Sequence, residues 1–108
     1  MRHILVIDDE EKFTWLVDQL LTRSDYKVTV ASSGIDGLRL YKEEPADLVI
    51  VDVFMPRTSG LDVIRRLKRD SPQAKIIAIS GGGDIAGRDC LELAAEAGAE
   101  CTIRKQAV

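Results

Sequence analysis

Five side chains of this sequence could act on one reactant: Asp8, Asp9, Asp52, Ser80 and Lys105. Each follows a short apolar run. Ile4-Leu-Val-Ile7 precedes Asp8-Asp9-Glu10-Glu11, Leu48-Val-Ile-Val51 precedes Asp52, Ile76-Ile-Ala-Ile79 precedes Ser80, and Thr102-Ile103 lies just before Lys105. Runs this short and this rich in β-branched residues read as strands buried on both faces, as in a parallel sheet. In such a sheet the carboxyl ends of all strands lie along one edge, so residues far apart in sequence converge there. A carboxylate at the end of a buried strand is costly unless it faces a crevice or a counter-ion. One strand-end Asp can simply cap a turn. Three carboxylates, a hydroxyl and an amine at four strand ends form a specific pattern.

Two carboxylates about 4 to 5 Å apart repel by roughly 4 kcal/mol at an effective dielectric of 20, so one takes a proton or a cation joins them. Oxygen ligands at a water-accessible edge suit Mg²⁺, which keeps several waters and takes one or two carboxylates plus phosphate oxygens. At its ordinary pKa of about 3.9 an Asp is ionised at neutral pH and needs no general base to act as a nucleophile. Phosphoryl transfer asks a protein mainly for positioning and charge neutralisation. Lys105 offers a point charge for phosphoryl oxygens, and the Ser80 hydroxyl offers one hydrogen bond. The set fits transfer of a phosphoryl group to an Asp better than turnover of a bound substrate, since no stretch outlines a substrate pocket.

The intervening segments must hold these residues in place. Phe13, Leu16, Val17, Leu20 and Leu21 recur at helical spacing, with Asp18 and Gln19 on the other side. Asp25 falls in the turn before a second strand, Lys27 to Ala31. Ser33-Gly-Ile-Asp36 offers a cap for a second helix whose inner side carries Ile35, Leu38, Leu40 and Tyr41, and Glu43-Glu44-Pro45 stops it. After Asp52, Met55-Pro56 breaks the strand, and Ser59-Gly-Leu-Asp62 has capping-box spacing. The third helix turns Val63, Ile64 and Leu67 inward and Arg65, Arg66, Lys68 and Arg69 to a solvated face, near the end that suits cations, before Ser71-Pro72 closes it. Gly81-Gly82-Gly83 predicts a flexible loop, Asp84 a cap for the fourth helix, and Gly98 the end of that helix.

Strand and helix thus alternate through five strands, which predicts an α/β fold: a doubly wound five-stranded parallel sheet with right-handed crossovers. In the order 2-1-3-4-5, strands one and three adjoin where the winding reverses, and such sheets hold ligands there. No helix pattern follows the fifth strand.

A length of 108 residues predicts one domain, and 45% apolar with 31% charged residues is a globular composition. The net charge of -3 argues against nucleic acid as a direct partner. No apolar run reaches membrane-spanning length, and Met1-Arg-His3 leads straight into a strand, which predicts no signal peptide and a cytoplasmic protein. Cys90 and Cys101 are widely spaced and form no CxxC pair, so both are expected reduced and buried. One His and no CxxC or HxxxH spacing leave no case for zinc.

Taken together, Ile4-Leu-Val-Ile-Asp-Asp-Glu10, Asp47-Leu-Val-Ile-Val-Asp-Val-Phe-Met-Pro56 with Gly60, Ile76-Ile-Ala-Ile-Ser80 and Gly98-Ala-Glu-Cys-Thr-Ile-Arg-Lys105 resemble the receiver domain of two-component response regulators, from residue 1 to about residue 106. The resemblance implies a flavodoxin-like fold and a phosphorylation-activated signalling switch. Asp52 would accept a phosphoryl group from a sensor histidine kinase, a phosphotransfer protein or a small phosphodonor. Asp9, Asp52 and the backbone carbonyl of Phe54 would bind Mg²⁺ directly, and Asp8 through water. Ser80 would turn inward to the phosphoryl group and Lys105 would pair with it. Such a chain is no enzyme toward other substrates and catalyses only its own phosphorylation and dephosphorylation. Homodimer formation stays open, while membrane and nucleic acid are not expected as direct contacts.

The chain departs from the family's usual pattern in four places. Gln106, not Pro, follows Lys105, and Thr102 replaces the switch aromatic on strand five, so a coupled Ser–aromatic rearrangement cannot run in its usual form. Gly81 stands where Ala is usual after Ser80. The fifth helix is absent, so residues 1–108 read as a receiver domain truncated before its last helix, or completed by a partner. These departures leave one alternative, a phosphorylation-independent pseudo-receiver serving as a protein-interaction module. A haloacid-dehalogenase type of phosphohydrolase would want Asp-x-Asp then Thr after strand one, and a flavin binder a hydroxyl-rich loop there. Asp8-Asp9-Glu10-Glu11 supplies neither, and four acids would repel a flavin phosphate.

Overall fold

The computed structural model describes residues 1–55, 59–81 and 87–105, with residues 84–85 described by their backbone. The elements run β1 (His3–Ile7), α1 (Glu11–Arg23), β2 (Lys27–Ala31), α2 (Gly34–Glu43), β3 (Leu48–Asp52), α3 (Gly60–Asp70), β4 (Ile76–Ser80), a short hairpin, α4 (Cys90–Ala97) and the fifth strand of the main sheet, β5 (Cys101–Arg104). The main sheet is parallel throughout, in the order β2-β1-β3-β4-β5. This is the doubly wound parallel sheet that the alternation of strand and helix predicts, in the flavodoxin-like order that the resemblance implies, and β1 and β3 lie side by side at the reversal.

Successive strand side chains point to opposite faces. Leu5, Ile7, Val49, Val51, Ile76 and Ala78 form one core with Tyr41 of α2, Leu61, Val63, Ile64 and Leu67 of α3, and Leu91 and Ala94 of α4. Ile4, Val6 and Ile79 have the opposite parity and are buried as well. Burial on both faces explains why these strands read as unbroken apolar runs.

Cover is uneven on the second face, where α1 packs along β2. Leu16 and Leu20 were expected inside, yet they stay 50% and 55% exposed. Among the described residues no other helix shares that face with α1 to bury its apolar flank. Ile35 is also exposed, because the buried stripe of α2 runs through Gly34, Gly37 and Tyr41 and misses it. Gly37 lies against Ile7 so closely that a Cβ there would overlap the Ile7 side chain. Every residue of β5, the edge strand, is exposed. Cys101 is therefore exposed rather than buried, whereas Cys90 is buried as expected, and both are free thiols.

The start of α4 also differs from expectation. Asp84 does not cap it. Asp84–Ile85 pairs antiparallel with Arg88–Asp89 around Gly87 at φ 80°, and α4 begins only at Cys90. Asp89 is the cap and accepts the Leu91 N–H at 2.8 Å. Gly82 and Gly83 of the predicted flexible loop lie outside the described residues, as do Pro56 and Gln106. Ser59 caps α3, but through the Leu61 N–H at 3.1 Å rather than the Asp62 N–H of a capping box. Lys68 leaves the solvated face: it donates to the Ala74 carbonyl at 2.5 Å and pairs with Glu100.

Candidate functional site

The strand ends deliver their polar residues to one edge. Asp8 follows β1 directly, its N–H donating to the Ala31 carbonyl at 3.0 Å and so extending the pairing with β2 by one step. Its Oδ1 accepts the Glu10 N–H at 2.9 Å, and the residue is 1% exposed. Asp9, next along, is exposed. Asp52 closes β3 at 5% exposure, with Oδ1 accepting the Phe54 N–H at 3.3 Å. The chain then folds back on itself: the Gly60 N–H reaches the Val53 carbonyl at 3.0 Å, and a Cβ at residue 60 would overlap the Asp52 carbonyl oxygen. Only glycine lets α3 start this close to the strand end. Ser80 ends β4 fully buried, and the Lys105 N–H donates to the Ser80 carbonyl at 2.6 Å.

Asp8, Asp9 and Asp52 each offer one carboxylate oxygen, and those oxygens lie within 4.8 Å of one another. The Lys105 ammonium sits among them, 2.7 Å from Asp8 Oδ2, 3.7 Å from Asp52 Oδ2 and 3.9 Å from Glu10 Oε2. The cluster of β1, β3 and β5 residues expected from the sequence is therefore assembled. Ser80 is close in the backbone, but its hydroxyl turns toward Cys90, whose Sγ donates to Ser80 Oγ at 3.3 Å. Phe54 touches the cluster through its N–H, and its side chain is exposed.

These charges perturb one another. Burial, then the neighbouring Asp8 charge, raises the Asp52 pKa to about 7, against the opposing effects of Lys105 and the Phe54 N–H. Asp52 is thus not the freely ionised carboxylate expected from its type alone. Burial works to lower the Lys105 pKa, but its close pairing with Asp8 and the Asp52 and Glu10 charges raise it overall. Asp8 Oδ2 is buried and met at 2.7 Å by the Lys105 ammonium. Three carboxylates around one ammonium leave an excess of oxygen donors that fits a hard, oxygen-seeking divalent cation such as Mg²⁺.

Two contributors were not singled out from the sequence. The Phe13 ring of α1 lies 4.3 Å from the Lys105 ammonium, a cation–π contact that helps hold the amine over the acids. Phe13 reads in sequence as one more member of the apolar stripe of α1. Cys90 gave only the signal of a lone thiol at the start of an apolar helical stretch.

Comparison with known proteins agrees with this geometry. The family model described as the response regulator receiver domain matches residues 4–107. The transcriptional regulatory protein AfsQ1 of Streptomyces coelicolor is 36% identical over 84 residues, covering 78% of this chain and 37% of AfsQ1. The chain thus spans little more than a third of that relative. A response regulator from Burkholderia pseudomallei, solved with a phosphorylated aspartic acid, a calcium ion and citrate, superposes with a TM-score of 0.86 at 30% identity, covering 100% of this chain and 62% of that one. The response regulator TrrA of Thermotoga maritima, solved in complex with Mg(2+)-BeF, gives a TM-score of 0.85 at 30% identity, covering 98% of this chain and 88% of that one. With a family match running almost end to end over a sheet that gathers the expected acids and amine at one edge, the chain belongs to the response regulator receiver domain family.

Proposed function

We propose that this domain is a Mg²⁺-dependent phosphorylation switch in which Asp52 accepts the phosphoryl group and Ser80 and Lys105 read it. The observation that carries the reading is the convergence of Asp8, Asp9 and Asp52 within 4.8 Å beside an ammonium that reaches two of them. A structural ion pair would need one acid for one base, and three acids around one base leave charge for a second cation to neutralise. Asp8, Asp9 and Asp52, with the Phe54 carbonyl on the family pattern, would hold Mg²⁺. Bound there, the ion neutralises phosphoryl charge and favours the ionised form of Asp52.

The chain's own groups then do the following. A carboxylate oxygen of Asp52 forms a bond to phosphorus as the donor's P–N or P–O bond breaks; an imidazole leaving group takes a proton from solvent, and a carboxylate leaving group departs as the anion. The close approach of Gly60 to the Asp52 carbonyl fixes the strand end, and so the direction from which Asp52 attacks. Lys105 is already within 3.7 Å of Asp52 and can follow the new charge with little movement. Ser80 lies one residue past the strand partner of Asp52 and supplies a hydroxyl once it turns. The donor would be a sensor histidine kinase, a phosphotransfer protein or a small acyl phosphate, and the setting the cytoplasm. Among the described residues no helix is long and apolar enough to cross a membrane.

Incubation with acetyl phosphate and Mg²⁺, followed by intact-mass measurement, tests the reading. The parent chain should gain one phosphoryl group and Asp52→Ala none. No gain by the parent chain would instead favour the interaction-only module, and a gain that survives Asp52→Ala would place the acceptor elsewhere.

A further inference from the structure

Ser80 is held away from the acids it is expected to serve. Ile79 is the strand partner of Asp52, and Ser80 is the next residue along β4. Side chains alternate along a strand, so Ser80 falls on the face packed by α2, α3 and α4 while Asp52 falls on the other. On that face its hydroxyl accepts the Cys90 thiol at 3.3 Å, and both side chains are fully buried. Cys90 is the first residue of α4. Its neighbour Asp89 caps the helix with Oδ1, and with Oδ2 it pairs with Arg104 at 2.8 Å. Arg104 in turn is the strand partner of Ser80. The Ser80 hydroxyl, the first turn of α4 and the end of β5 therefore close one ring of contacts.

We propose that Cys90 is a positioning residue: its thiol holds the Ser80 hydroxyl back against α4 in the unphosphorylated chain. When Ser80 turns to the phosphoryl group it must leave that thiol, and the first turn of α4 loses an anchor. This latch rests on the phosphorylation reading above. Thr102 carries no ring that could move in step with Ser80, so the motion enters the fold at α4 rather than along β5. A thiol suits the task, since S–H is a weak donor and biases the hydroxyl without locking it.

Beryllofluoride with Mg²⁺ is the probe, titrated calorimetrically into the whole chain. Cys90→Ala removes the donor and should tighten beryllofluoride binding roughly twofold to fivefold, below the scale of a full neutral hydrogen bond, while Cys90→Ser keeps a donor and should bind no tighter than the parent. In a Ser80→Ala background the difference between Cys90 and Ala should vanish. A merely structural role would weaken binding in Cys90→Ala or leave it unchanged, and either result overturns the latch, as does a gain that persists without the Ser80 hydroxyl. Should Cys90→Ala not fold, amide exchange in the parent decides: Leu91 and Glu92 should exchange faster with beryllofluoride bound, and unchanged exchange overturns the proposal. A parent chain that takes up no beryllofluoride overturns the phosphorylation reading and the latch with it. A parent that binds it, with no shift in Cys90→Ala, overturns the latch alone.

Discussion

Asp52 keeps its proton to about pH 7 because its carboxyl is buried next to Asp8. In the unfolded chain it would titrate near 3.8. A carboxyl whose pKa is raised by folding contributes most below its unfolded value, and that contribution is lost as pH rises through the folded pKa. The window therefore runs from about 3.8 to about 7. In EDTA, Asp52→Asn should stabilise the fold near about pH 8 and match the parent near about pH 4. The full shift overstates the gain, since water reaches the edge of the site and Lys105 offsets part of it, so about 1–2 kcal/mol is expected. Urea unfolding of both chains at the two pH values measures this, and equal stability at the higher pH would contradict it. At this scale the sequence was most legible where a polar residue ended an apolar run: Asp8, Asp52, Ser80 and Lys105 stand where the runs placed them. Phe13 and Cys90 were not legible as site neighbours, because an apolar residue on an amphipathic helix looks alike whether it faces a core or an ammonium.

The elements show where local signals compete. Asp84 was the expected cap of α4, but it pairs with Asp89 in a hairpin, and Asp89 caps the helix instead. A two-residue strand pair around Gly87 is too short to leave a period-two pattern, so the helix start could not be placed from sequence. Helices α2 and α3 began where Ser33 and Ser59 predicted, since nothing intervened between cap and stripe. Asp89 now does two jobs of unequal weight. Loss of the cap in Asp89→Ala should cost about 1 kcal/mol. Loss of its partly exposed partner in Arg104→Ala should cost under about 0.5 kcal/mol, since such ion pairs contribute little. Asp89→Ala removes both contacts and Arg104→Ala only the ion pair, so equal denaturant midpoints in the two variants would mean that the ion pair, not the cap, fastens α4.

Across the whole molecule, periodicity predicts which face of an element is apolar but not whether anything lies over it. The parallel sheet and its acidic edge followed from the alternation of runs, while the strand order came with the resemblance to a known fold. The exposure of Leu16, Leu20 and Ile103 did not, because it depends on what packs beside α1 and β5. Apolar surface left open in this way favours association. The 108-residue chain should bind a hydrophobic dye and self-associate as concentration rises. Leu16→Lys combined with Leu20→Lys should reduce both while lowering stability by less than about 1 kcal/mol, as expected of half-exposed positions. Sedimentation of the parent and the double variant reads the difference, and identical profiles would show that this flank plays no part.

The bond from the Lys105 amide to the Ser80 carbonyl joins two residues whose side chains lie on different parts of the site. The hydroxyl and the ammonium are thus mounted on a single peptide strut bridging β4 and β5. Neither can be relocated without dragging the other's backbone. The carboxylates of β1 and β3 stand opposite on separate strands, so the proposed phosphoryl site would act as a pincer with one shared arm, and small displacements of β5 should alter both grips together.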